Sequence, residues 1–414
     1  MPHILFWGKA DKMKHGTYVK GVATGVILTV LAGGGIKAVQ YCRSDEILSD
    51  LAFTQKIKYL ENMIDEEYLG EISTDKLEEG VYAGLIYGLG DVYSRYYTKD
   101  EYEQESVTTE GSYVGIGVAM QKYTAGGVQI VECYKGSTAE EAGVKVDDVI
   151  TAINGEDITD TELQDVVSMI KDNEDKDVVL TVQRKGEDTQ EITVKVSNVE
   201  LPSVFGEMLD ENTGYIQITE FKGVTVEQYE EIFADLKEQG MERLVVDLRD
   251  NPGGLLNVVC DILRDILPEG LIVYTEDKNG NRSEETCDGK NLLDMPLAVL
   301  VNGNSASASE IFAGAVKDYG LGTIVGTTTY GKGVVQSIRQ LSDGSAVKLT
   351  IANYYTPKGN SINKTGIRPD VEVELSPELL NQEEITHEED NQLQAALNSL
   401  NEKLSGAEID GVLK

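Results

Sequence analysis

The stretch Val301–Gln336 reads VNGNSASASEIFAGAVKDYGLGTIVGTTTYGKGVVQ. An apolar strand ends at Val301, a serine-rich turn opens a helix, a second strand follows, and a glycine turn carries Lys332. Strand and helix alternating in this way define an α/β unit. Ser305, Ser307 and Ser309 occupy the strand-to-helix turn, where helix N-terminal N–H groups converge and a developing oxyanion would be met. The chain has 3 histidines, His3, His15 and His387, all near its ends. The folded body therefore offers no imidazole, and a general base for a serine would have to be another group. A lysine fills that role when burial lowers its pKa.

Simpler readings compete for these residues. Ser307-Ala308-Ser309-Glu310 fits a capping box, and the residues alone do not choose among the three serines. A lone lysine between Gly331 and Gly333 is an ordinary surface turn. Gly326–Lys332 also matches the GxxxxGK of a phosphate loop. Gly333 then stands where a Ser or Thr hydroxyl should hold magnesium, and VVQSIRQ reads as a strand, which leaves no helix N-terminus for a phosphate.

Outward from this stretch, strands are expected in GYIQITEF, RLVVDLRD, LAVLVN, GTIVGTT and AVKLTIANYY, with helices at 225–239, 255–266 and 308–319. Within VVDLRDNPGGLL (245–256), Gly253 and Gly254 let backbone N–H groups approach a ligand closely. Residues 106–199 change character. Short strands, two helices and glycine turns predict a small, partly open barrel. In it Tyr113, Val114, Gly115, Ile116, Gly117 and Val118 complete no GxGxxG, which argues against a dinucleotide site. Residues 45–100 read as helices, with Phe53, Ile57, Leu60 and Ile64 at helical spacing. Residues 379–414 are acidic with one helix and read as a solvated tail or a docking segment.

The net charge of −36 argues against non-specific nucleic-acid binding, which needs Lys and Arg to neutralise phosphates. None of the 4 cysteines lies in a CxxC pair, so a zinc site is not expected. A Cys260–Cys287 disulfide cannot be deduced. At the N-terminus, Lys9, Lys12 and Lys14 precede an apolar run, Val19–Val39. Its length of roughly 31 Å as a helix spans a bilayer, and the basic flank places the N-terminus in the cytoplasm and the body outside. A cleaved signal peptide is the rival reading.

Several ordered motifs, LGDVYSRYYT, GIGV with GSTAEEAGVKVDDVITAING, LRDNPGG, SASASEIF, IVGTTTYGKGVVQ and GIRPDVEV, together resemble the C-terminal processing (tail-specific) peptidases. The resemblance covers about residues 45–375. It implies an α/β protease domain (mixed sheet with flanking helices), a PDZ domain and an N-terminal helical region, besides the one transmembrane helix. The layout is 1–18 cytoplasmic basic segment, 19–39 transmembrane anchor, 40–105 helical region, 106–199 PDZ domain, 200–378 serine protease domain and 379–414 acidic tail. It implies Ser307 as nucleophile, Lys332 as base and Gln336 as the residue that orients the lysine. The oxyanion donors would be the N–H of Ala308 and one from Gly253 or Gly254. The loop Tyr113–Val118 would hold the carboxylate of an unstructured C-terminal tail added as a strand.

The resemblance further implies a serine endopeptidase needing no metal and no organic cofactor. It would be bacterial, single-pass in the cell membrane with an extracytoplasmic body, cutting proteins at or near their C-terminal tails, and the helical region would cap the body or pair two copies. A catalytically silent PDZ scaffold is the alternative; labelling by a serine-reactive probe discriminates.

Overall fold

The computed structural model describes residues 51–412 except 381, 383 and 384. The chain divides into two compact units, Met1–Glu78 and Glu79–Lys414. In the first, the described residues form the helix Leu51–Glu67 and the start of the helix Thr74–Tyr87. The expected apolar stripe is present but open: Ile57 and Leu60 are 36% and 37% exposed. The apolar run Val19–Val39 lies outside the described residues. Among the described residues, no helix is long and apolar enough to cross a membrane.

In the second unit, a hairpin-like pair, Ser112–Gly115 against Ser197–Glu200, brings together the two ends of a small domain. Between them Val118–Lys122, Val128–Cys133, Val149–Ile153, Asp177–Gln183 and Gln190–Lys195 form an antiparallel sheet in that order. Alternate residues point inward, as a strand period of two requires. Val128 and Ile130 meet Val178, Leu180 and Val182, and the helix Leu163–Lys171 closes the core with Val166 and Ile170.

The larger domain is built on a sheet ordered Val204–Met208, Thr213–Ile218, Arg243–Asp247, Leu297–Val301, Gly322–Gly326 and Val371–Glu372. Its first pair is antiparallel and the rest are parallel. The central strands are largely apolar, Leu297–Val301 wholly so, as fits a sheet covered on both faces. Leu244, Val246, Val299 and Val301 face the core formed with the helices Thr225–Glu238, Leu256–Arg264 and Ala308–Tyr319. Val245, Ala298, Leu300 and Val325 point the other way, onto Leu393, Ala396 and Leu400 of the helix Asn391–Val412.

The described residues of the segment 379–414 thus take the docking reading rather than that of a solvated tail. Its helix is the second cover of the sheet. Ahead of it, Asp390 Oδ2 lies 2.8 Å from Arg249 Nη2, and the Arg249–Asp247 pair is itself capped by Tyr215 Oη at 2.7 Å. A second sheet, with Ala346–Tyr355 at its centre, carries Arg95–Tyr97 and Val334–Gln340 among its strands. Cys133, Cys260 and Cys287 are free thiols, so the Cys260–Cys287 disulfide is not formed.

Candidate active site

Three neighbouring parallel strands deliver three motifs to one edge of the sheet. Arg243–Asp247 runs into Asn251–Gly254, Leu297–Val301 into Ser307, and Gly322–Gly326 into Lys332. The carboxyl ends of parallel strands are where open α/β sheets place their sites. Here they wall a cleft of 480 Å³ that brings together Ser307, Ala308, Lys332, Gln336, Gly253 and Gly254. Leu255, Leu256, Ile311, Val335 and Ile338 make its apolar side.

The structure separates the three serines. Ser305 is buried and its hydroxyl donates to Leu248 O at 2.7 Å. Ser309 is buried and donates to Asn251 O at 3.0 Å. Ser307 lines the cleft, and the Glu310 carboxylate closes the return half of the capping box on its backbone N–H. Its backbone has φ 54 and ψ −112, a region that costs a residue with a Cβ about 1–3 kcal/mol. The surrounding bonds hold it there. Ser307→Gly is accordingly expected to be more stable by about 1 kcal/mol while losing turnover, read as a higher urea midpoint at unchanged slope.

Two groups brace Ser307 against Lys332. The carboxylate of Glu310, fully buried, accepts from Ser307 N at 2.9 Å and Lys332 N at 2.8 Å on one oxygen. Its other oxygen accepts from Thr329 Oγ1 at 2.6 Å and Gly331 N at 2.7 Å. On the carbonyl side, the Tyr354 hydroxyl donates to Ser307 O at 3.0 Å and also lies against Lys332 O. Both backbones are thus fixed by the same pair of side chains. The capping-box pattern identified Glu310 as a helix cap only. Three of its four partners come from the 329–332 loop, which no local spacing rule reaches.

Burial holds the Lys332 amine below the ordinary lysine range, and the charge of Lys348 adds to this, while Glu310 and Asp91 pull the other way. Lys348 is itself tied to Glu105 at 2.8 Å. The Gln336 amide nitrogen donates to Thr350 Oγ1 at 3.2 Å rather than to the lysine. The strand Val334–Gln340 follows directly, so no helix N-terminus stands after Lys332 to hold a phosphate.

Where the oxyanion donors are expected, a Cβ on Gly253 would lie 2.7 Å from Ala306 O and 2.9 Å from Ala308 N. Only a glycine allows the two loops to touch. The Gly253 N–H donates to Asn251 Oδ1 at 2.8 Å, so using it on an oxyanion requires that bond to be shared or released.

In the smaller domain, the carbonyl of Ile116 accepts from Ala139 N at 3.0 Å and that of Gly117 from Tyr134 N at 2.9 Å. Both loop carbonyls are thereby engaged within the domain. Gly117 has φ 81, and a Cβ there would stand 2.2 Å from Ser137 Cβ. Tyr113 folds its ring over Gly115, and burial pushes its phenol up to about 12.

Fold and site together define a serine-type peptidase with a PDZ domain. Residues 212–373 match the peptidase family S41 model and residues 129–184 a PDZ domain model. The chain is 34% identical over 357 residues to a probable CtpA-like serine protease of Staphylococcus aureus, covering 84% of this chain and 71% of that protein. It is 34% identical over 322 residues to one of Staphylococcus epidermidis, covering 77% of this chain and 65% of that protein. Among solved structures, a photosystem II D1 C-terminal processing protease is 28% identical, with 77% of this chain and 86% of that one covered and a TM-score of 0.45. The chain belongs to the C-terminal processing peptidases of family S41.

Proposed function

We propose that the chain is a membrane-anchored, extracytoplasmic bacterial endopeptidase that cuts proteins at or near their C-terminal tails by a serine–lysine mechanism. The observation that carries this reading is the division of labour among the serines: the hydroxyls of Ser305 and Ser309 are spent on carbonyls, while that of Ser307 opens into the cleft of the desolvated Lys332.

Neutral Lys332 takes the Ser307 proton as the hydroxyl oxygen attacks the scissile carbonyl. The oxyanion is met by the N–H of Ala308 together with that of Gly253 or Gly254. The ammonium then protonates the leaving amine, and water, deprotonated by the same lysine, releases the acyl group. Gln336, held on Thr350, steers the lysine chain from the side of the sheet. The apolar wall suits an apolar side chain beside the scissile bond. Because the base must be neutral, activity rises with pH through the lowered pKa of Lys332, and among the described residues no imidazole lines the cleft.

The PDZ domain captures the free carboxylate of an unstructured tail at Gly115–Val118 and regulates cleavage. The basic start and the Val19–Val39 run anchor the chain in the cell membrane, and the open apolar face at Ile57 and Leu60 pairs with a second copy.

The test is cleavage of an unstructured peptide with a free C-terminus against the same peptide amidated. Preference for the free acid that disappears in Gly117→Val, with binding by fluorescence anisotropy at least about tenfold weaker, supports tail capture. Equal cleavage and binding of both peptides overturns it.

A further inference from the structure

The segment Asp91–Ser94 lies in the motif LGDVYSRYYT, which has been given no role at the site, yet it reaches Lys332. Lys332 Nζ stands over the Tyr93 ring, 4.9 Å from its centroid. The segment is fixed by its own turn: Asp91 Oδ1 accepts from Tyr93 N at 3.1 Å and Asp91 Oδ2 from Ser94 Oγ at 2.6 Å. Ser94 Oγ in turn accepts from Thr350 N at 3.1 Å. Thr350 is also the residue that holds the Gln336 amide. The ring is therefore set against the lysine by the same strand that positions the rest of the cleft.

We propose that Tyr93 is a catalytic residue whose ring face receives the ammonium formed when Lys332 takes the Ser307 proton. The inference rests on the serine–lysine reading above and deepens it. A π face attracts a cation and is nearly indifferent to a neutral amine. Such a group stabilises what the transition state contains and the active resting state does not, which is the condition for accelerating a step. The other charged groups facing the lysine are already committed. Glu310 is held by its four donors, Asp91 by Ser94 and Tyr93, and Lys348 by Glu105. Tyr330 neighbours the Tyr93 phenol, and the Tyr354 hydroxyl lies against Lys332 O. Burial and the neighbouring Tyr330 hold the Tyr93 phenol above its ordinary range, so the ring stays neutral.

The proposal has a signature in pH. Above the lysine pKa the resting amine is neutral, and removing the ring costs the full stabilisation of the ammonium. Below it the resting lysine is already an ammonium, feels the same ring, and the two losses cancel. Tyr93→Leu is therefore expected to lower the alkaline plateau of kcat/KM by between roughly twofold and 30-fold. Its midpoint should move to lower pH by the logarithm of the same factor, so that the mutant and wild-type curves meet on the acid side.

The experiment measures kcat/KM against pH for the full-length chain. Tyr93→Phe keeps the face and should recover most of the loss. Fluorinated phenylalanines placed at position 93, which weaken the face without changing its shape, should lower the plateau stepwise with fluorine number. An equal fall at every pH with an unmoved midpoint, or no dependence on fluorination, overturns the role of Tyr93. Full turnover in Lys332→Ala would instead overturn the serine–lysine reading itself, whatever the Tyr93 variants do.

Discussion

Ser307→Ala and Lys332→Ala are each expected to lower turnover of a tail peptide by about 10⁴-fold or more, and the double variant should be no worse than either alone. The reason is that neither residue has a separate function to lose. A serine hydroxyl is a weak nucleophile until a base accepts its proton, and a neutral lysine has nothing to deprotonate without the serine. Lys332→Arg should be as inactive as the alanine variant, because a guanidinium remains charged at any usable pH. The comparison is made on peptide cleavage, with thermal melts showing that each variant is folded. Independent, additive losses would mean that the two side chains do not act as a unit.

Glu310→Ala should produce the largest loss of stability among single changes at the site, about 3–5 kcal/mol, with turnover lower by about 10²-fold. The carboxylate is fully buried and accepts from the backbone N–H of Ser307, Gly331 and Lys332 and from Thr329 Oγ1. Removing it leaves those donors unpaired in a dry setting and frees the lysine loop from the nucleophile turn. Glu310→Gln keeps the shape but presents an N–H₂ to donors on one side, so an intermediate loss is expected. Urea unfolding reads the stability term and kcat the displacement. A variant with unchanged midpoint and kcat would show that the carboxylate does not brace the pair.

These expectations draw on parts of the molecule that differ in how far the chain itself announces them. The apolar run Leu297–Val301 and the alternation of strands with helices mark an α/β sheet in the sequence; that its second face is also covered is seen only in the packing of Leu393, Ala396 and Leu400. The serine turn and the glycine-flanked lysine stand out because their residue types are unusual for their places. Which serine opens to the cleft was not legible. It depends on Leu248 and Asn251, whose carbonyls consume Ser305 and Ser309 from another strand end. The motif of Tyr93 and the strand of Lys348 were visible, but their approach to Lys332 was not, since tertiary packing alone brings them there. The docking of the last helix was visible in part: Leu393, Ala396 and Leu400 recur at helical spacing, but the acidity around them suggested solvent. What decides the matter is the open second face of the sheet, which needs a cover.

The central claim is that Ser307 is made reactive by Lys332. It is tested most directly by the rate at which a fluorophosphonate probe labels the full-length chain, followed across pH and mapped by mass spectrometry. A probe of this kind reports the nucleophile without requiring the natural substrate. The account predicts a single adduct on Ser307, forming faster as pH rises through the lowered pKa of Lys332, and lost in Lys332→Ala. An adduct on another residue, or undiminished labelling of Ser307 in folded Lys332→Ala, would contradict it.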